Sequence, residues 1–90
     1  MSQAIVDPAE LRRFAQLLKQ FNNDVQQRMG AVHGQLVGLS QSWRDREHQK
    51  FVDEFEQTMQ VLSRFLDVSK EHIPFLLRKA DRIEEYLQQR

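Results

Sequence analysis

Apolar residues recur along the first forty positions at Leu11, Phe14, Leu18, Phe21, Val25, Met29, Val32, Leu36 and Leu39, always three or four apart. The steps average about 3.5 residues, the period of a coiled-coil seam, so the spacing predicts one long amphipathic helix over 8–41. Its start is marked in the sequence. Asp7 suits the N-cap, Pro8 the first helical position, Glu10 the reciprocal capping position, and Val6 with Leu11 a hydrophobic staple. Ser40-Gln41-Ser42-Trp43-Arg44-Asp45 breaks the pattern, placing a turn at 42–45, with Asp45 or Ser42 as the next N-cap. A second seam follows at Phe51, Phe55, Met59, Leu62, Leu66, Ser69, Ile73, Leu76, Ala80, Ile83 and Leu87, which predicts a helix over 46–88. Two such helices joined by a few residues bury their seams on each other only by returning antiparallel. The expected fold is all-α, a single long helical hairpin over 1–90. Pro74 lies inside the second seam and denies the carbonyl of Lys70 its helical partner, which gives either a kink near Pro74 or a separate last helix.

Two features fall outside the seams. Val61, Phe65, Val68, His72 and Phe75 repeat with the same spacing one position ahead of the second seam, about 100° around the helix. A hairpin satisfies one stripe per helix, so this second stripe predicts a further neighbour. The expected arrangement is a four-helix bundle, made by a homodimer or by a close paralogue heterodimer, with His72 partly buried in the packing. Gly30, Gly34 and Gly38, spaced four apart within GAVHGQLVG, keep the register of the first helix but point away from its seam. No formally charged residue occurs from Met29 to Ser42. The row is either a set of tolerated surface glycines or an outer-face contact with another molecule, which would build an oligomer beyond the dimer.

Composition narrows the chemistry. Lys plus Arg and Asp plus Glu each number 13, so no basic excess draws the chain to nucleic acid or to anionic lipid. The absence of cysteine removes disulfides, thiolate nucleophiles and thiolate metal sites. His33, His48 and His72 have no metal-ligand spacing; Asp45-x-x-His48 is not repeated on the first helix, as a di-metal bundle site requires. Acid pairs such as Asp53-Glu54 and Glu84-Glu85 are consecutive and fit a solvated flank. No triad, phosphate loop or strand pattern is present, so the expectation is a non-enzyme with no catalytic residues, no metal and no cofactor. The start MSQAIVDP has no signal-peptide pattern and no run approaches 18 apolar residues. The expected location is therefore cytoplasmic, with any secretion independent of a signal peptide, and a membrane partner is not expected.

A cysteine-free hairpin of about 90 residues with its lone Trp43 in the turn, in Ser42-Trp43-Arg44-Asp45, resembles the WXG (Trp-x-Gly) family. These are the early-secretory-antigen-like hairpins of type VII secretion, and the resemblance spans nearly the whole chain. It implies dimers, contact with the secretion machinery, and a composite export element made of the turn Trp and a Tyr-x-x-x-acid signal after the partner's second helix. Trp43 and Tyr86 are the matching positions here. Asp45 stands where the motif has glycine, and Arg90 stands four residues after Tyr86 where the signal has an acid. Trp43 is then either an export determinant or a hydrophobic plug closing the hairpin end. The alternative function is an intracellular self-assembling scaffold module that is not exported.

Overall fold

The computed structural model describes residues 6–89, and it is a two-helix antiparallel hairpin with α1 at Pro8–Leu39 and α2 at Arg46–Gln88. The hairpin measures 69 × 21 × 17 Å, and no strand occurs among the described residues. Both predicted starts form. Asp7 accepts from the backbone N–H of Ala9 at 2.9 Å with Pro8 beside it, and Asp45, rather than Ser42, accepts from His48 N at 3.0 Å. α1 ends two residues before the predicted position 41. Ser40 to Trp43 fold into a tight turn in which the N–H groups of Ser42 and Trp43 both reach the carbonyl of Leu39, at 3.1 and 2.9 Å.

GAVHGQLVG is helical throughout, with no glycine at positive φ. α2 is likewise continuous, and Pro74 sits inside it rather than opening a separate last helix.

The seam of α2 runs where its spacing predicts, with Leu66, Ser69 and Ala80 buried. The seam of α1 does so only in part: Leu36 is buried and Leu11, Leu18, Val25 and Met29 are half-buried as predicted. Ala15, Asn22 and Leu36 are its buried residues, whereas Phe14 and Phe21 stay 53% and 49% exposed. The helical period admits either series, since both run three and four apart through Leu18 and Val25. The small residues occupy the interface, so the helices approach closely and the bulky rings stand to one side. In antiparallel register, seven residues back from Asn22 is Ala15 and seven on from Ser69 is Leu76, a small residue level with a large one. That is the alternation a thin two-layer interface needs to fill its space.

Candidate functional site

The displacement of Phe14 and Phe21 changes the surface. They lie about 60–80° from the α1 seam, on the side to which α2 turns its second stripe. Val61, Phe65, Val68, His72 and Phe75 are all exposed there. Phe14, Leu18, Phe65, Val68, Ser69, His72, Phe75 and Leu76 together line a groove of about 390 Å³. Two shallower grooves continue it toward the turn, one between Met29, Val32, Met59 and Leu62 and one between Val32, Leu39, Phe51 and Phe55. One flank of the hairpin is thus an apolar trough shared by both helices. His72 lines it but is exposed rather than partly buried, because nothing within the single hairpin lies over it.

The opposite flank is polar. Arg12 donates to Asp81 at 2.9 Å and to Glu84 at 2.7 Å, tying the start of α1 to the end of α2. Lys70 donates to Gln26 at 3.2 Å. The hydrogen bonds that Arg12 donates to Glu84 and then to Asp81 raise its pKa above the ordinary value, so the guanidinium stays charged. Between the flanks, Ser69 Oγ donates to Asn22 Oδ1 at 2.8 Å across the buried seam, and Asn22 Nδ2 is buried without a partner.

At the turn, Trp43 stands edge-on to His48 with ring centroids 5.0 Å apart and tilts onto Phe51 at 5.9 Å; Phe51 stacks on Phe55 at 5.8 Å. Ser40 Oγ lies 2.9 Å from His48 Nε2 and donates to the Leu36 carbonyl at 3.0 Å, so the ring nitrogen donates to the hydroxyl. His48 therefore braces the turn. The half-buried Trp43 closes the hairpin end and begins the aromatic row that leads into the trough.

Gly30, Gly34 and Gly38 face open space: a Cβ added at any of them would meet no atom within 4 Å. They lie on the back of α1, away from the trough, so the two predicted contacts point in different directions. Tyr86 is 60% exposed near the end of α2, and Arg90 lies outside the described residues. No cluster of three or more His, Cys, Asp or Glu that could hold a metal occurs among the described residues, and no described helix is long and apolar enough to cross a membrane.

Spacing alone could not separate Phe14 and Phe21 from the seam. What distinguishes them is their bulk, set one position before Ala15 and Asn22. The Asn22–Ser69 pair carries a weaker signal, a small polar residue at a seam position on each helix.

No curated protein and no solved structure matches the chain. A family model described as proteins of 100 residues with WXG matches residues 3–87, and the chain belongs to that family, the WXG100 small proteins of type VII secretion.

Proposed function

We propose that the protein is a non-enzymatic helical hairpin that pairs with a second copy, or with a close paralogue, into a four-helix bundle. In that form it serves type VII secretion as an exported small protein or as the chaperone-like partner of one. The observation that carries this reading is the apolar trough, where Phe14, Phe21, Phe65 and Phe75 are each about half exposed on one flank. A row of this kind is costly in water and is removed by a second apolar face. The dimensions of the hairpin offer on the order of 1,000 Å² per copy, above the roughly 800 Å² per partner of a standard interface. The trough walls are aromatic and aliphatic, chemistry suited to binding by contact rather than to turnover.

The alternative, an intracellular self-assembling scaffold, draws support from the two departures at the export positions. Asp45 is committed to capping α2, and the fourth residue after Tyr86 is basic. The two readings separate in the native host by following the secreted fraction with and without Trp43→Ala. Secretion that Trp43→Ala abolishes, with the solution mass unchanged, supports the export reading. Retention of both forms inside the cell supports the scaffold.

A further inference from the structure

We infer that the charges bordering the trough, Glu54 and Lys79 of α2 above all, select a second copy of this chain over a paralogue as its occupant. The inference rests on the dimer reading and names the partner which that reading leaves open.

The stripe of α2 extends through Glu54, Thr58, Val61, Phe65, Val68, His72, Phe75 and Lys79 in steps of 4, 3, 4, 3, 4, 3 and 4. That series reads the same in both directions, with an acid at one end and a base at the other. By helical phase Glu54 and Lys79 lie within about 20° of the line midway between Phe65 and Val68, so both point the way the trough opens. Both are exposed, and the ion pairs among the described residues are those of Arg12 on the other flank. They stand about 37 Å apart along α2, too far to meet within one chain.

The middle of the series falls between Leu66 and Asp67, which is within one residue of the middle of α2, Arg46–Gln88. Two hairpins laid trough to trough and head to tail overlap along their whole length only with a two-fold axis there. That operation sets Glu54 opposite Lys79 of the second copy, and its mate Lys79 opposite Glu54 of the second copy. Phe65 then meets Val68, and Val61 meets His72. At the edge Arg64 comes within one turn of Glu71 of the second copy, and Arg82 falls between Lys50 and Asp53, one of each sign. The Asn22–Ser69 hydrogen bond fixes the level of α1 beside α2, which brings Arg28 within one turn of Asp24 of the second copy.

The other two-fold arrangement, with free ends together, lays α1 on the second copy's α2. It brings Glu10 near Arg82, but it sets Arg28 beside Arg64 and leaves Glu54 facing the uncharged stretch from Met29 to Ser42. Opposed charges at the rim of an apolar face set partner choice and register more than raw affinity. A paralogue needs the same two charges at the same two places; a second copy has them by symmetry.

The test is sedimentation equilibrium of the full 90-residue chain in low salt, beside Glu54→Lys, Lys79→Glu, the double variant, and an equimolar mixture of the two single variants. Glu56→Lys, on the back of α2, is the control. Each single variant turns two attractive contacts per dimer into two repulsive ones, so its dissociation constant is expected to rise roughly 10- to 100-fold. The double variant and the mixture restore every contact and are expected to match the parent to within about threefold, as is Glu56→Lys. The mixture stays decisive even if a single variant loses helix alone, because the rescue is read between two different chains. Single variants that dimerise as tightly as the parent overturn the inference and leave the dimer reading standing. So does a mixture no tighter than the single variants. A parent chain that is monomeric overturns both.

Discussion

Asn22 and Ser69 show how a single pair of residues decides the arrangement around it. Asn22 is 1% exposed and its Oδ1 is satisfied by Ser69, but its Nδ2 has no partner, so the pair is a net burden on the seam. Such a pair is useful because it is hard to satisfy in any other register: sliding one helix past the other would bury both groups unpaired. Ser69→Ala, which strands the whole Asn22 amide, is expected to cost about 1–3 kcal/mol, measured as a lower urea midpoint. The double variant Asn22→Leu with Ser69→Ala replaces both groups with apolar ones and is expected to match or exceed the parent; a double variant as weak as the single would refute this account. The position of Ser69 was legible from its place in the period of α2. That of Asn22 was not, because a pattern of apolar residues passes over an amide and takes the neighbouring Phe21. The physical choice is made by the partner helix, whose small Ser69 leaves room for Asn22 and not for a ring.

Each helix was legible because several independent signals agree: a cap, an uninterrupted period and a turn that breaks it. The end of α1 was less so, since Ser40 and Gln41 continue the helical phase and only the convergence of Ser42 and Trp43 on the Leu39 carbonyl shows where the chain leaves it. The helical phase of the glycine row was also readable, and the open space beside each glycine agrees with it. Changing all three glycines to alanine is therefore expected to stabilise the helix, by roughly 2–3 kcal/mol from propensity alone, seen as a higher melting temperature. Gly34→Leu separates the two readings of that face. In the single hairpin the first atom of the new side chain meets nothing. A fall in solution mass by light scattering would mean that another molecule occupies that space, whereas an unchanged mass with raised helicity would identify tolerated surface glycines. Pro74 sets the opposite expectation within α2: Pro74→Ala restores an N–H for the Lys70 carbonyl and should raise stability by up to about 3 kcal/mol.

At the scale of the molecule, the hairpin is asymmetric across its long axis, with an ion-paired flank and an apolar one. The polar flank holds the free ends of the helices together through Arg12. Because its pKa is raised on folding, the stability the arginine contributes is fully present below its unfolded value and is lost only in strong alkali, so this flank's cation is insensitive to physiological pH. The apolar flank is uncovered in the single hairpin. Among the described residues the buried apolar side chains are few, namely Ala15, Leu36, Leu66 and Ala80, while most of the large rings stand outside. A chain of this length that leaves most of its phenylalanines on the surface has little core of its own, and the proposed pairing would supply a further layer. If it comes from a second copy, folding and association are one equilibrium, and stability follows concentration. Each tenfold increase in protein should then raise the melting temperature by about 4 °C, given the ordinary unfolding enthalpy of a bundle of two such chains. Phe65→Glu places a charge at the centre of the trough without touching the hairpin seam. It should abolish that dependence and lower the melting temperature while the far-ultraviolet spectrum at low temperature still reports helix. A melting temperature independent of concentration in the parent chain would mean that the hairpin stands alone, with its phenylalanines exposed to water.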